Sequence, residues 1–204
     1  MDAKSHWERV YQTLAPPQVS WYQEHLRLSL ELIHRTGVSK AAQIIDVGGG
    51  ISTLVDDLLA EGYQHITVLD IAGTALERDR QRLGSHAAAV TWVEADIMHV
   101  ALPHQGYDVW HDRAVFHFLS EPEERDRYVE TMRQAVRSDG YVIVATFALE
   151  GPTRCSGRDV ARYTPASLQD EFGAEFELVT TVRELHRTPL GAEQAFLYCS
   201  FRKR

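Results

Sequence analysis

The sequence predicts an α/β fold: a doubly wound, mostly parallel sheet of seven strands that ends in an antiparallel hairpin. Three observations favour this class. Five short apolar runs, several rich in β-branched residues, lie between residues 43 and 146. Amphipathic helical patterns separate several of these runs, which is typical of parallel sheets with right-handed crossovers. Two further strand-like runs near the end of the chain have only a short turn between them.

The apolar runs are continuous rather than alternating, which is typical of strands that are buried on both faces. The predicted strands are residues 43–47, 66–69, 90–93, 107–110, 141–146, 176–185 and 194–201. Helical spacing predicts helices at residues 21–36, 53–61, 72–83 and 125–136. We expect Gly37 to cap the first of them, and Thr164 to begin a later helix with Pro165 in its first turn.

The composition favours a globular protein without a nucleic-acid or membrane partner. The 204 residues carry a formal net charge of -8, whereas nucleic-acid-binding surfaces normally show a basic excess. No apolar run approaches the roughly 20 residues that span a bilayer. Cys155 and Cys199 are the only cysteines, and the first residues lack the apolar core of a signal peptide. We therefore expect a cytoplasmic protein with two reduced thiols.

A glycine-rich loop follows the first predicted strand and opens a helix. It runs Asp46-Val47-Gly48-Gly49-Gly50, and glycine there lets the backbone turn tightly and approach a ligand closely. Asp70 ends the second strand, about 20 residues beyond the loop, where a carboxylate binds a ribose diol in doubly wound sheets. An ordinary glycine-rich turn is the alternative for the loop alone.

Acidic residues also follow the third and fourth predicted strands. Asp96 follows the third, and Asp108 and Asp112 bracket the fourth. The carboxyl ends of successive parallel strands meet in one crevice, so these side chains are expected to converge. For any one of them, capping of the next helix is an alternative.

The order of these elements resembles the class I S-adenosylmethionine-dependent methyltransferases over nearly the whole chain. The matching segments are Asp46-x-Gly48-x-Gly50, Leu69-Asp70-Ile71, Ala95-Asp96-Ile97, Asp108-Val109-Trp110-His111-Asp112 and the Asp139-Gly140-Tyr141 turn. A dinucleotide-binding enzyme is the main alternative. The third glycine of its G-x-G-x-x-G motif would fall on Thr53 here, a β-branched residue that is poor for close helix packing.

The resemblance implies a Rossmann-like fold and S-adenosyl-L-methionine as cofactor. It places the glycine loop against the methionine part of the cofactor, and Asp70 with Ile71 at the ribose. Asp96 and Ile97 would hold the adenine, while His111 and Asp112 would help to hold the amino-acid end. One domain, 1–204, is then expected: 1–37 as an N-terminal lid and helix, 43–147 as the cofactor-binding core, and 148–204 as the acceptor-side loop, helix and terminal hairpin.

Four aromatic residues stand in the polar N-terminal segment: Trp7, Tyr11, Trp21 and Tyr22. They are expected either to clasp the domain or to form a lid that excludes water from the cofactor and acceptor. Their spacing looks like the start of small methyltransferases that act on lysines of proteins, where such aromatics help to enclose the methionine end. Pro16-Pro17 would be the stiff bend between the two pairs.

Asp112-Arg113-Ala114, followed by Pro122, Arg125 and Tyr128, is similar to the thiopurine S-methyltransferase type. Arg113 is a candidate to bind the cofactor carboxylate as a bidentate pair, or to form a salt bridge with a nearby carboxylate. Asp112, His117 and His186 are the candidate catalytic residues, with a structural role the alternative for His117.

The candidate acceptor contacts lie in the long segment 151–163 after the fifth strand. They are Arg154, Cys155, Arg162 and Tyr163, and a mobile, solvated loop is the alternative. The histidines lack metal-ligand spacing, so no metal is expected.

The first expected function is methyl transfer to a small molecule at sulfur, nitrogen or oxygen. The second is methylation of a protein lysine, and the third is a cofactor-binding module without catalysis. A closed, deep acceptor pocket would favour the first, and an open groove with an acidic or aromatic slot the second. The sequence leaves the acceptor, its pathway, the use of a general base and the oligomeric state open.

Overall fold

The computed structural model describes residues 2–204, which form six α-helices and ten β-strands. The helices are α1 (Ala3–Thr13), α2 (Arg27–Arg35), α3 (Leu54–Ala60), α4 (Gly73–Leu83), α5 (Pro122–Ala135) and α6 (Pro165–Phe172). The strands are β1 (Gln43–Val47), β2 (His65–Asp70), β3 (Val90–Glu94), β4 (Tyr107–Arg113), β5 (Val136–Ala148), β6 (Arg154–Cys155), β7 (Arg158–Asp159), β8 (Arg162–Tyr163), β9 (Phe176–Arg187) and β10 (Glu193–Lys203).

Seven long strands form one sheet in the order β3-β2-β1-β4-β5-β10-β9. The first five pair in parallel, whereas β10 pairs antiparallel with both β5 and β9. The short strand β8 adds one parallel pairing to the end of β5. The predicted α/β class, the mostly parallel sheet and the antiparallel C-terminal hairpin are confirmed.

Helices cover both faces of the sheet because the parallel strands are apolar on both. On β4, Val109 packs into one buried cluster and its neighbour Trp110 into the other, as expected from the alternation of side chains along a strand. The Val109 face is covered by α2, α3 and α4, and the Trp110 face by α5 and α6. The crevice between these layers therefore opens at the carboxyl ends of the parallel strands.

Two local predictions were wrong. The predicted helix 21–36 begins only at Arg27, because the carbonyl groups of Ser20 and Trp21 accept hydrogen bonds from sheet residues instead of joining a helix. The turn predicted before the fifth strand lies inside β5, where Asp139 adopts a positive φ of 63°. Thr164 caps α6 through its side chain as expected, and Pro165 is the first helical residue.

Within residues 2–204, no helix has the length and apolar content needed to cross a membrane. In the same residues, no group of three or more His, Cys, Asp and Glu side chains is arranged to hold a metal ion. Both cysteines are buried free thiols.

Candidate functional site

A cavity lies over the carboxyl ends of the parallel strands, under α1. It holds about 940 Å³ of space between atoms, including the part that is open to solvent. Its floor is formed by strand ends and the loops that follow them: Gly48, Asp70, Ile71, Asp96, Ile97 and Arg113. A smaller cavity shares Trp21, Gly48 and Arg113 with it and extends under the glycine loop toward Asp46 and His111. The two cavities together form one depression across the sheet.

The glycine loop can follow its path only because it lacks side chains. Gly48 has a φ of +65°, and a Cβ there would lie 2.0 Å from the Val115 side chain. Gly50 has a φ of +49°, and a Cβ there would lie 2.7 Å from the Tyr11 hydroxyl and 3.1 Å from Asp70. These positive φ angles and close approaches exclude larger residues. The loop thus brings bare backbone to the edge of the depression.

Asp46 and His111 form a buried pair beneath the glycine loop. His111 Nδ1 lies 2.7 Å from Asp46 Oδ1, and its Nε2 lies 2.9 Å from the hydroxyl of Ser29. The other carboxylate oxygen of Asp46 is buried and has no hydrogen-bond partner within residues 2–204. Because Asp46 lines the smaller cavity, this oxygen is an unused acceptor for a bound group.

Arg113 ends β4 with its side chain only 5% exposed. Its Nε donates to the Tyr198 hydroxyl at 2.8 Å, and its Nη1 donates to the carbonyl oxygen of Trp21 at 3.0 Å. Its Nη2 forms an ion pair with Glu184 at 3.8 Å, beyond hydrogen-bond distance, and is buried without a hydrogen-bond partner in the described chain. One charged N–H group is therefore left for a ligand.

Asp70 is a buried carboxyl at the end of β2. Its Oδ1 accepts a hydrogen bond from the Ala72 amide at 2.8 Å. Burial is the main cause that raises the pKa of Asp70, to about 7. Asp96, one strand further, accepts from the Met98 amide at 3.0 Å and lines the same cavity beside Ile97. The two carboxyls and the apolar Ile97 side chain are arranged to contact a ligand that carries hydroxyl groups and an apolar ring.

Aromatic side chains form the roof of the larger cavity. The Trp7 ring lies edge-on to Trp21 and to Phe118, with centroid distances of 5.7 and 5.1 Å, and is stacked on Tyr11 at 6.0 Å. All four rings line the cavity. Tyr22, the fourth predicted aromatic, lies instead beside the smaller cavity.

Hydrogen bonds at several points hold the N-terminal segment to α4 and to the sheet. The Glu8 carboxylate accepts hydrogen bonds from the Gly73 and Thr74 amides, at 2.7 and 3.3 Å, at the first turn of α4. Arg78 donates to the Leu14 carbonyl at 2.6 Å. Further along, His186 Nε2 donates to the Ser20 carbonyl at 2.7 Å. The N-terminal segment is thus held by hydrogen bonds to α4 and to β9.

The structure places the three candidate catalytic residues outside the lining of the larger cavity. Asp112 is buried, and its carboxylate accepts from the Val115 and Phe116 amides and from the Tyr128 hydroxyl. Burial lowers the pKa of His117 to about 3, and neither of its ring nitrogens has a hydrogen-bond partner. His186 binds the Ser20 carbonyl. None of the three therefore contacts the space of the larger cavity, and a catalytic role for them stays a prediction.

Of the four predicted acceptor contacts, only Cys155 lines the larger cavity. Arg154 is paired with Asp159 at 3.0 Å. Arg162 donates to the Leu149 carbonyl at 2.6 Å, and Tyr163 packs in the core beside Phe116. The other lining residues include Phe118, Glu124 and Arg158, which were not among the candidate contacts.

Residues 44–140 match the family model described as "Methyltransferase domain". "EEF1A lysine methyltransferase 2" of Danio rerio is 23% identical over 193 residues, which are 88% of this chain and 77% of the relative. "eEF1A lysine and N-terminal methyltransferase" of Mus musculus is 25% identical over 65% of this chain, and the chain spans only 18% of that relative.

The fold is shared with solved structures. The N-methyltransferase NodS from Bradyrhizobium japonicum, in complex with S-adenosyl-L-homocysteine, superposes with a TM-score of 0.76 at 16% identity, over 99% of both chains.

Proposed function

Since the chain belongs to the class I S-adenosylmethionine-dependent methyltransferases, with S-adenosylmethionine as its methyl donor, we propose that it methylates a small molecule at nitrogen, sulfur or oxygen. The observation that carries this proposal is the aromatic roof over the strand ends. A roofed, largely apolar cavity suits a small acceptor that is enclosed together with the donor, because closure excludes water from the reacting atoms.

The unpaired polar atoms of the depression fit the methionine end of the donor. An α-amino acid carries an ammonium and a carboxylate. The depression offers one carboxylate oxygen on Asp46 and one guanidinium nitrogen on Arg113 that have no hydrogen-bond partner in the described residues. Such charge-assisted hydrogen bonds are about twice as strong as neutral ones. We assign Asp46 to the ammonium and Arg113 to the carboxylate, with Gly48 supplying the close backbone approach.

The remaining floor residues fit the nucleoside end. We assign the ribose hydroxyls to Asp70, beside Ile71, and the adenine to Asp96 and Ile97. His111 acts as a positioning residue, because its hydrogen bond to Asp46 Oδ1 directs the other oxygen toward the cavity.

When bound, the donor supplies an electrophilic methyl group on a sulfonium. Displacement of that sulfonium needs an in-line approach, so positioning of the acceptor supplies much of the rate. Trp7, Tyr11, Trp21 and Phe118 would hold the acceptor and exclude water. Burial raises the pKa of the Cys155 thiol to about 11, so this cavity residue is a neutral wall rather than a competing nucleophile.

The first test is calorimetric titration of the protein with S-adenosylmethionine, with NAD and NADP as controls. We expect micromolar binding of S-adenosylmethionine alone. Transfer of a labelled methyl group to a panel of small thiols, amines and hydroxyl compounds then tests the acceptor class. Binding of the donor without transfer to any small molecule, but with transfer to a protein, would overturn the small-molecule proposal.

Methylation of a protein lysine is the second candidate, because two relatives of this chain carry that activity in their names. A lysine side chain would have to enter beneath the same aromatic roof. The discriminating experiment incubates the protein with labelled donor and a methyl-depleted lysate that is divided into small-molecule and protein fractions. Label in lysines of one protein would favour this candidate, whereas donor binding without label in either fraction would indicate a cofactor-binding module.

A further inference from the structure

The cavity has an arginine that the cofactor assignments leave unused. Arg158 begins β7 and lines the cavity beside Cys155. Its side chain forms no hydrogen bond or ion pair with any of residues 2–204, whereas Arg154 on the paired strand β6 is bound to Asp159 at 3.0 Å. The two arginines of one small hairpin therefore differ: one is paired at the surface, and the other faces the cavity unpaired.

Arg158 lies near a second arginine, Arg9, and near His6. Burial, and after it the charges of Arg158 and Arg9, lower the pKa of His6, which places both guanidinium groups near the His6 ring. The His6 Nε2 atom is itself buried without a partner in the described residues. The whole chain has a net charge of -8. The positive charge of Arg158 and Arg9 is therefore local to this edge of the cavity, which we call the rim.

Of the acidic residues that line the cavity, Asp70 and Asp96 are assigned to the cofactor, and Glu124 forms no ion pair with Arg158. Glu124 lines the cavity, but its carboxylate accepts a hydrogen bond from the Glu121 amide at 3.3 Å in the first turn of α5. That contact directs the carboxylate toward its own helix, and it lies beyond ion-pair distance of Arg158. An incoming anion would therefore find a free guanidinium group next to aromatic walls.

We propose that Arg158 is the anion-binding residue of the acceptor site, so that the acceptor is an organic carboxylate or phosphate whose apolar, ring-like part rests on Trp7 and Phe118. This inference rests on the proposed function, because it assumes that the donor occupies the strand ends and the acceptor the rim. Guanidinium groups bind carboxylates and phosphates through two parallel N–H···O bonds. The aromatic rings supply the apolar contact.

The test measures binding rather than turnover, so that it does not need the natural acceptor. The full chain is saturated with S-adenosylhomocysteine and titrated calorimetrically with benzoate, phenyl phosphate and the uncharged isostere benzamide. We expect one of the two anions to bind at least about tenfold more tightly than benzamide. The better anion identifies carboxylate or phosphate as the natural group.

The decisive variants are Arg158→Gln and its matched control Arg154→Gln. Arg158→Gln is expected to weaken the better anion at least about tenfold and to leave S-adenosylhomocysteine binding unchanged, which also shows that it is folded. Arg154→Gln is expected to change neither constant. Equal anion binding by Arg158→Gln and the unchanged chain would overturn the inference alone. The same holds if protein that binds S-adenosylhomocysteine binds neither anion. Failure of folded protein to bind S-adenosylhomocysteine would overturn the proposed function and the inference with it.

Discussion

Arg113 at the end of β4 donates a hydrogen bond to the backbone carbonyl of Trp21, at 3.0 Å. The same guanidinium group has one buried N–H group without a partner in the depression. The residue assigned to the donor carboxylate is therefore also the residue that fixes an aromatic ring of the roof. We therefore expect binding of the donor and the position of the roof to be coupled through this one side chain.

The first prediction concerns this coupling. Arg113→Lys keeps the charge but loses the planar fork that contacts Trp21 and the ligand together. We expect the dissociation constant of S-adenosylhomocysteine to rise about 10- to 100-fold, as for the loss of a hydrogen bond to a charged group. Tyr198→Phe is the matched control, because it leaves the guanidinium group intact and removes the hydroxyl that accepts from Arg113 Nε and donates to Glu184. An equal effect of both variants by calorimetry would contradict the assignment.

The second prediction concerns the anchor of the roof. Glu8 binds two amides at the start of α4, where a carboxylate also interacts favourably with the helix dipole. Glu8→Ala is expected to raise hydrogen exchange throughout α1 and to speed dissociation of S-adenosylhomocysteine. Lys4→Ala, on the same helix, breaks only a half-exposed ion pair with Glu94 and is expected to change little. Unaltered exchange in α1 of the Glu8 variant would show that other contacts hold the roof.

The third prediction is a pH dependence. Burial raises the pKa of Asp70 to about 7, above the value of about 3.9 expected in the unfolded chain. The ionised carboxylate is the form that accepts hydrogen bonds from ribose hydroxyls. Affinity for S-adenosylhomocysteine should therefore fall as the pH drops below about 7, approaching about tenfold per pH unit. Calorimetry at several pH values between 5 and 8 measures it.

The same shift affects stability with the opposite sign. The pKa of Asp70 is raised in the folded protein. Its protonated form therefore adds fully to the free energy of unfolding at acid pH, and this stabilisation is lost as the pH rises toward about 7. Asp70→Asn should bind the ligand more weakly but with no such pH dependence. If the affinity of the unchanged chain for S-adenosylhomocysteine did not vary with pH, Asp70 would not be the residue that binds the ribose.

The fourth prediction separates a structural role from a catalytic one. The Asp112 carboxylate accepts hydrogen bonds from two amides and from Tyr128, and these contacts fix the loop that carries Val115 into the cavity. Tyr128→Phe removes one of those donors, and we expect the free energy of unfolding to fall by about 1–3 kcal/mol. Donor affinity should change less than about threefold, as expected for a residue outside the cavity. A large loss of turnover by a stable Tyr128→Phe protein would instead indicate a catalytic role.

Much of the sheet could be predicted because its strands are specified locally. The β-branched run at the centre of β5 and the glycine loop after β1 each carry their signal within a few residues. The start of α2 could not be predicted in this way, since Trp21 is held by Arg113 and Gln23 by His186, which lie 92 and 163 residues away along the chain. Local helical spacing does not record such distant partners.

The acceptor side was harder to predict than the donor side for a related reason. Arg154, Arg158 and Arg162 are separated by only three residues each. The sequence pattern alone therefore does not distinguish which of them faces the cavity. The pairing of two-residue strands decides which of them faces the cavity: β6 pairs with β7, while β8 joins the end of β5. Such short pairings leave no periodicity in the sequence, and they placed Arg158 in the cavity and the other two arginines outside its lining.

The last prediction tests the shape of the glycine loop. A Cβ on Gly48 would meet the Val115 side chain at 2.0 Å, in addition to the backbone cost of a φ of +65°. Gly62→Ala is the matched control, because Gly62 has a φ of +84° but no atom within 4 Å of a Cβ. It should lose only the backbone cost, about 1–2 kcal/mol of the free energy of unfolding, and retain its affinity for S-adenosylhomocysteine. Gly48→Ala should lose that affinity as well.

A double variant isolates the steric part of the Gly48 effect. Gly48→Ala combined with Val115→Ala removes the two Val115 methyl groups that the new Cβ would meet, at 2.0 and 3.9 Å, so we expect part of the affinity to return while the backbone cost remains. Thermal unfolding and calorimetry on the unchanged chain, Gly48→Ala, Gly62→Ala and the double variant separate the steric cost from the backbone cost. If Gly48→Ala bound S-adenosylhomocysteine as well as Gly62→Ala does, close backbone approach at Gly48 would not be needed. The donor would then have to rely on the Asp46 and Arg113 contacts alone.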